Sequence, residues 1–329
     1  MRAPDFWAGG AATGGGRCLA LALAPLGRIY GAVTASRASR PPVWKAPVPV
    51  ICVGNAVMGG AGKTQVCLDL ARRLSAPGRA AHVLSRGYGG KLPGPVKVDP
   101  DTHGAADVGD EALVLARHAP TWICADRTAS ARAAVDDGAA LLIMDDGFQN
   151  PDLGKDVSLL VIDAGFGFGN GRVFPAGPLR ETAASAFART DAVCIIGEME
   201  AALPSLPAAI PAYHARIVPD PSPSNVAGRK VIAFAGIGRP EKFFATLRDA
   251  GADIVATRSF ADHHPFSDGE LGGLLKSAED NDCVVVTTEK DHARLGTAFR
   301  DRIMPFPVRL EWDDGDALQR FILGRIGLN

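Results

Sequence analysis

The chain has 329 residues, 47% hydrophobic and 22% charged, so it is long enough for two domains with a sizeable buried core. Its net charge of −1 gives no overall positive field, so no nucleic-acid partner is expected. Its 6 cysteines are scattered singly, which argues against a zinc site or a disulfide framework and for a reducing, cytosolic compartment.

The first 45 residues are basic and aromatic. They contain Arg2, Arg17, Arg28, Arg37, Arg40 and Lys45 against a single acid, Asp5, together with Phe6, Trp7, Tyr30 and Trp44. The apolar run at 18–26 is broken by Pro25 and is shorter than the roughly 20 residues that a spanning helix needs. We therefore predict an amphipathic helix at a membrane interface, and a cap helix on the domain is the alternative. The nucleotide-binding machinery that follows argues against a signal peptide.

A glycine-rich loop, residues 59–64, joins a predicted strand at 48–53 to a segment with helical spacing. In a P-loop the backbone N–H groups and the helix N-terminus hold phosphate, the lysine reaches the β- and γ-phosphates, and the threonine ligates Mg²⁺. The usual first glycine is replaced by Val57, so this is a variant P-loop, and an ordinary tight turn is the alternative. The predicted nucleotide-binding residues are Val57, Met58, Gly59, Gly60, Ala61, Gly62, Lys63 and Thr64.

A second signal lies at residues 141–149, where an apolar strand runs directly into Asp145 and Asp146. This is the pattern of a Walker B strand, which delivers a carboxylate to the Mg²⁺ opposite the P-loop threonine. Because Mg²⁺ prefers oxygen ligands, the predicted metal ligands are Thr64, Asp145 and Asp146. The sequence leaves open which of the two acids contacts the metal directly.

Other loops that follow predicted strands contain residues suited to a phosphate or a sugar. Residues 85–90 combine arginine, glycine and tyrosine, and residues 165–172 combine glycine, phenylalanine and arginine. In open α/β sheets, ligands bind at the carboxyl ends of the strands. Arg127 is suited to a phosphate or to a carboxylate partner. Asp110 occupies an N-cap position, so the local sequence favours helix capping as its role.

Taken together, these motifs make the chain resemble the tetraacyldisaccharide 4'-kinase family, the lipid A kinases of Gram-negative bacteria. The resemblance runs in order from residue 4 to about residue 295. The matching segments are 53–55, 59–64, 85–89, 109–111, 125–127, 145–149, 167–172, 175–181, 236–238, 260–263 and 287–291. One departure is Asn150, where the family usually has histidine.

The resemblance implies that the γ-phosphoryl group of MgATP moves to the 4'-hydroxyl of a tetraacylated disaccharide 1-phosphate, forming lipid IVA. It also implies a monotopic enzyme on the cytoplasmic face of the inner membrane; no protein partner can be inferred. By resemblance, Asp110 is the catalytic base and His263 orients it, with Lys63 as the third catalytic residue. The predicted substrate contacts are Arg86, Tyr88, Glu111, Arg127, Gln149, Asn170, Arg180 and Glu181.

The expected fold is a P-loop NTPase-like α/β/α sandwich with a second, smaller α/β domain and an N-terminal interfacial helix. A proline-rich stretch near 204–223 marks the boundary. The predicted units are an interfacial segment (1–45), a P-loop kinase domain (46–210), a linker (211–228) and the smaller domain (229–329), whose last helix is a candidate to pack back on the kinase domain.

Two other functions are weighed against this one. A membrane-associated P-loop regulatory ATPase normally has a signature lysine early in the loop, where this chain has Met58. A soluble small-molecule kinase or ligase of the same superfamily would leave the basic, aromatic N-terminus unexplained.

Overall fold

Two sheets organise the chain in the computed structural model, which describes residues 4–8, 14–198, 205–221 and 226–328. The strands are β1 (Val50–Gly54), β2 (Ala81–Ser85), β3 (Val96–Lys97), β4 (Thr121–Ile123), β5 (Leu141–Asp145), β6 (Val157–Asp163), β7 (Ala192–Ile196), β8 (Ala212–Pro219), β9 (Lys230–Ala235), β10 (Asp253–Ser259), β11 (Val284–Thr288), β12 (Met304–Phe306) and β13 (Val308–Trp312). The α-helices are α1 (Gly14–Ala38), α2 (Lys63–Leu74), α3 (Ala105–Val108), α4 (Asp110–Ala116), α5 (Arg127–Asp136), α6 (Ala183–Phe187), α7 (Pro240–Asp249), α8 (Asp268–Asp280), α9 (Glu289–Ala293), α10 (Thr297–Arg300) and α11 (Gly315–Arg325).

The larger sheet has the order β13-β8-β7-β6-β1-β5-β2-β4-β3 and is parallel except for the β13–β8 and β3–β4 pairs. Every residue of β1 and β5 is buried, because separate apolar clusters cover the two faces of the sheet. This three-layer arrangement confirms the predicted α/β/α sandwich. Since parallel strands end at the same edge, the register that pairs Val53 with Asp145 places the end of β5 beside the loop after β1.

Helix α2 begins directly after the glycine loop, because Gly62 has a φ of 85° at its N-cap. Its apolar residues recur at helical spacing, and Val66, Leu70 and Leu74 are fully buried against the sheet. Burying each such side chain contributes about 1.5–3 kcal/mol. The helix and its glycine loop are therefore held rigidly against β1.

The smaller sheet, β10-β9-β11-β12, is entirely parallel, and it too has helices on both faces. Phe244 and Leu247 of α7 pack on one face, and Leu271 and Leu275 of α8 pack on the other. The predicted second α/β unit is therefore present, with its own two-sided core.

The chain passes twice between the two sheets, and the predicted domain boundaries stay predictions. Residues 212–219, within the predicted linker, form β8 of the larger sheet. The apolar stretch 303–310 does not form one strand. It divides at Pro307, since β12 belongs to the smaller sheet and β13 returns to the larger one. Helix α11 packs back with Leu318 and Ile322 in the core of the larger unit.

The N-terminal helix α1 is longer than the sequence analysis anticipated. It continues through Pro25 for 25 residues, with a mean hydropathy of 1.5 in its most apolar window. By length and composition alone it could cross a membrane, so the argument from a short apolar run was wrong. Its small residues Ala20, Gly27, Gly31 and Ala38 lie buried on one side, where Gly27 and Gly31 meet Val173.

This close packing gives a test of the α1 contact. A Cβ atom at Gly27 would lie 2.7 Å from the Val173 carbonyl oxygen, so Gly27→Ala should destabilise the protein by about 1–3 kcal/mol. Gly15→Ala is the matched control in the same helix, because nothing lies within 4 Å of its Cβ position. Chemical denaturation in detergent measures both variants. Equal stability of the two would contradict the packing described.

Candidate active site

The P-loop presents a row of unpaired backbone donors at the edge of the larger sheet. Within the described structure, the N–H groups of residues 59–62 donate no hydrogen bond to another backbone group. Cβ atoms at Gly59 or Gly60 would meet nothing within 4 Å, so the space beside the loop is open. The start of α2 adds its partial positive charge here, and the arrangement therefore fits a phosphate group.

The start of the loop has a different role. Val57 is buried and forms an isolated bridge with Leu179, and the Met58 N–H donates to the Pro178 carbonyl oxygen at 2.8 Å. These two residues, predicted to bind nucleotide, use their backbone to anchor the segment around Arg180. The variant position is thus occupied by a structural contact, and the phosphate donors begin at Gly59.

Asp146 brings together the cations at the mouth of the loop. Its carboxylate lies 3.5 Å from Lys63 Nζ and accepts hydrogen bonds from Arg180 at 3.0–3.2 Å. Burial opposes ionisation, but the positive charges of Lys63 and Arg180 outweigh it and hold the pKa of Asp146 below its usual value. Gln149 accepts from Arg180 at 3.1 Å and donates to the Asn55 carbonyl oxygen at 3.0 Å, which ties this cluster to β1.

Asp145 has a contrasting environment. Burial, followed by the negative charges of Glu111 and Asp146, raises the pKa of Asp145 to about 7. Among the described residues it has no ion-pair partner within 4.0 Å, and its carboxylate accepts only a long hydrogen bond from Cys67 Sγ at 3.7 Å. A buried carboxyl group that lacks a counter-charge is suited to a cation.

No cluster of three or more His, Cys, Asp or Glu side chains able to hold a metal occurs among the described residues. A metal at this edge would therefore need ligands of other kinds, such as the Thr64 hydroxyl and phosphate oxygens. This is the ligand set of Mg²⁺ in P-loop proteins, where one or two carboxylates suffice.

A histidine–carboxylate pair joins the two sheet units beside this edge. Asp110, at the start of α4, is 5% exposed, and its Oδ2 lies 3.0 Å from His263 Nδ1. The neighbouring His264 instead contacts Glu270 at 3.1 Å and stacks on Phe260. The two adjacent histidines thus have separate partners, and only His263 reaches Asp110.

Two cations that the sequence analysis did not select complete this cluster. Lys290 Nζ lies 3.2 Å from Glu111, 3.4 Å from His263 Nε2 and 3.9 Å from Asp110, and Arg294 Nε lies 3.6 Å from Asp110. Both belong to the segment after β11, where the matching motif 287–291 includes Lys290 but not Arg294. They are about 180 residues from Asp110 in the chain, so no local spacing relates them to it.

The charges of the cluster favour an ionised pair. Burial opposes ionisation of Asp110, but the hydrogen bond with His263 and the charge of Lys290 lower its pKa overall. The same hydrogen bond raises the pKa of His263 against the opposing effects of burial and of Lys290. Asp110 is therefore a carboxylate at neutral pH, able to accept a proton.

The predicted substrate contacts fall into two groups. Tyr88 is 72% exposed, and its ring lies 6.2 Å from that of His263. Glu111 forms an ion pair with Lys290, and Arg86 is exposed. Tyr88 and Glu111 therefore lie at the Asp110–His263 cluster, whereas Gln149 and Arg180 belong to the Asp146 cluster.

The remaining three are occupied in holding loops. Arg127 is 3% exposed and donates to the carbonyl oxygens of Cys124 and Asp145. Glu181 is fully buried against Arg189, Ser185 and Gln149. The Asn170 amide donates to the carbonyl oxygens of Phe6 and Ala176. In this structure these side chains are engaged within the protein, and their contact with a substrate stays a prediction.

The fold and the P-loop at this edge define a P-loop phosphotransferase. The chain matches the family description "Tetraacyldisaccharide-1-P 4'-kinase" over residues 19–327. It is 52% identical over 325 residues to a tetraacyldisaccharide 4'-kinase of Rhodospirillum centenum, covering 98% of this chain and 96% of that one. A relative of the same name from Paramagnetospirillum magneticum is 50% identical over 330 residues, covering 100% and 99%.

A solved structure is similar as well. It is the "apo" form of LpxK from Aquifex aeolicus in complex with ATP, with a TM-score of 0.76 and 25% identity over 94% of this chain and 99% of that one. The chain belongs to the tetraacyldisaccharide-1-P 4'-kinase family and is a kinase. This membership does not favour the alternative of a P-loop regulatory switch.

The Asp110–His263 contact should depend on pH. The folded-state pKa of His263 is raised, so its contribution to stability is present below its unfolded pKa of about 6.5 and is lost as pH rises through the folded value. Because the imidazole is 40% exposed, solvent screening limits the gain to roughly 0.5–1 kcal/mol. A double-mutant cycle with Asp110→Asn and His263→Gln, by urea unfolding, should give a larger coupling energy near pH 6 than near pH 9. A coupling that does not change with pH would show that the pair is not an ion pair.

Proposed function

We propose that this chain transfers the γ-phosphoryl group of ATP to the 4'-hydroxyl of a tetraacyldisaccharide 1-phosphate, forming lipid IVA at the cytoplasmic face of the inner membrane. The main structural support is the carboxylate of Asp110, hydrogen-bonded to His263 at 3.0 Å on the same edge as the P-loop. The negative charge of Glu111, the next residue, raises the pKa of Asp145, which links the two halves of the site electrostatically.

The nucleotide phosphates bind to the unpaired N–H groups of residues 59–62 and to Lys63. In this structure Lys63 forms an ion pair with Asp146, which keeps the ammonium group at the mouth of the loop. Thr64 and Asp145 are the residues that would hold Mg²⁺, because Asp146 already has two cationic partners and Asp145 has none among the described residues. The metal would neutralise charge on the phosphate oxygens.

Proton removal from the sugar is assigned to Asp110. A sugar hydroxyl is a weak nucleophile at neutral pH, so a base that accepts its proton assists the attack on the γ-phosphorus. The hydroxyl oxygen forms the new P–O bond, the bond to the leaving ADP oxygen breaks, and the proton passes to an Asp110 oxygen. His263 fixes the orientation of the carboxylate, while Lys290 and Arg294 keep it ionised.

The base is assembled by contact between the two units. Asp110 lies in the larger unit and His263 in the smaller, and the pair is already made in this structure. A second bridge joins Asp163 at the end of β6 to Lys242 at 3.2 Å and to Arg239. Separation of the units would break both contacts, so we infer that catalysis requires the closed arrangement.

The membrane placement is inferred from α1. The side opposite its buried small residues exposes Leu21, Leu26, Ile29 and Val33, each more than half exposed. An exposed apolar helix face is costly in water and marks a surface that meets a membrane or a partner. A substrate with four acyl chains would be reached most readily from such a surface.

Removing the acceptor-side pair should slow turnover. Asp110→Ala and His263→Ala should each lower kcat by roughly 10²-fold or more, the scale of general-base loss, and Lys63→Ala should be more severe. The assay is ATP-dependent phosphorylation of the disaccharide lipid in detergent micelles. His264→Gln is the matched control, because that histidine contacts Glu270 and is expected to leave kcat nearly unchanged. Near-normal turnover in both pair variants would exclude the assigned base.

The exposed face of α1 gives an independent prediction. The double change Ile29→Lys with Val33→Lys should weaken binding to neutral phosphatidylcholine vesicles at least about tenfold, because two aliphatic side chains no longer enter the bilayer. Val255→Lys is the control, since Val255 is 47% exposed in the smaller unit. Vesicle flotation measures the partition, and turnover in detergent should be retained. Unchanged partition of the double variant would refute an interfacial α1.

A further inference from the structure

A cavity of about 380 Å³ lies where α1 ends, and the proposed reaction does not use it. It is lined from one side by Ala38, the last residue of α1, with Arg40 and Lys45, and from the other by the segment 148–155. Its volume is within the range of about 300–1,000 Å³ that ligand pockets have. None of its lining residues belongs to the P-loop or to the Asp110–His263 cluster.

The lining of this cavity is cationic. Arg40, Lys45, Lys155 and Arg189 contribute to it, and no carboxylate does. Lys45 is paired with Asp156 at 3.3 Å, and Arg189 is paired with Glu181 at 2.7 Å. Arg40 and Lys155 have no ion pair within the described ranges of the chain. The cavity therefore carries an excess of positive charge and suits an anion.

Asn150 adds a polar donor to the lining. Its Oδ1 accepts the N–H groups of Asp152 at 3.1 Å and Leu153 at 3.4 Å, which closes the turn after the Walker B strand. The side-chain NH₂ makes no hydrogen bond to the described parts of the protein. An amide NH₂ beside two unpaired cations can donate to a phosphate oxygen.

The surroundings indicate the source of the anion. Val43, three residues after Arg40, is 78% exposed, although its N–H donates to the Asp152 carbonyl oxygen at 2.8 Å. Ile29 and Val33 are exposed on α1, whose C-terminal end borders the cavity. Exposed aliphatic side chains followed by unpaired cations are the pattern of a surface at lipid headgroup depth.

We propose that this cavity binds the phosphate group of an anionic membrane phospholipid, distinct from the disaccharide substrate, and so anchors the C-terminal end of α1 at the bilayer surface. Arg40 and Lys155 provide the charge and Asn150 provides a neutral donor. The inference rests on the proposed placement of α1 at the membrane.

Native mass spectrometry of the full chain in detergent tests the site. With phosphatidylglycerol added, the wild type should retain one lipid, and phosphatidylcholine should not replace it. The double variant Arg40→Gln with Lys155→Gln should lower phosphatidylglycerol affinity about tenfold or more. Lys155 also donates to the Phe148 carbonyl oxygen at 3.0 Å, so Arg40→Gln alone is the second variant, since Arg40 is exposed and its loss should not disturb the fold.

The matched control is Arg28→Gln with Arg37→Gln, which removes the same charge from exposed positions that do not line the cavity. Retention of the lipid by this control, with loss in the cavity variants, supports the site. An equal loss in both would show diffuse surface charge and overturn the proposal.

Glycerol 3-phosphate forms the other arm of the experiment. Displacement of the lipid by this soluble phosphate at comparable concentration would identify a free phosphate ester as the occupant and overturn the lipid assignment. Turnover in detergent should be unchanged in the cavity variants, which separates this site from catalysis. Binding to neutral vesicles reports on α1 alone, so a failure of the interfacial placement would be distinguished from a failure of the lipid site.

Discussion

Asp145 sets the constraint on which the site depends, because its carboxyl group lies at the end of a strand that is buried throughout. Parallel pairing of β5 with β1 places it below the P-loop, where burial and two neighbouring acids raise its pKa to about 7. The contacts around Asp145 reflect the free-energy cost of burying its carboxyl group. Arg127 donates a hydrogen bond to the Asp145 carbonyl oxygen, and Cys67 Sγ is the only described group that donates to the Asp145 carboxylate. Lys63 forms its ion pair with Asp146 instead. A bound divalent cation would relieve the constraint.

The second unit acts on this edge from outside the sheet. Helix α4 of the larger unit packs against α9 of the smaller, and Lys290 of α9 contacts Glu111 at 3.2 Å. The return of the chain through β13 and α11 connects the smaller unit to the larger at a second point. The P-loop lies on one unit and His263, the partner of Asp110, lies on the other, so the proposed acceptor side depends on the contact between the two units.

The residues differ in how far the sequence could predict them. Two neighbouring strands with clear apolar patterns lead to one sheet edge. Lys63 and Thr64 open the helix after β1, and Asp145 and Asp146 lie at the end of β5. Arg127, Glu181 and Asn170 were expected to contact the substrate, yet they are bound to backbone or buried side chains. Residue type alone cannot show whether a polar side chain faces a ligand or its own loop. Their roles in the reaction, like the domain boundaries, stay predictions.

By itself, the sequence determined the P-loop, the Walker B strand, the α/β class and the family resemblance, because neighbouring residues encode turns, periodicity and motif spacing. The family resemblance selected His263 over His264, and in the structure His263 is the histidine that contacts Asp110. Only the tertiary structure decided that Lys290 and Arg294 join this pair and that the chain divides at Pro307 between two sheets. It also showed that the residues at the variant P-loop position anchor a neighbouring loop. Such contacts join residues that are far apart in the chain, and their partners are selected by packing, which no local pattern records.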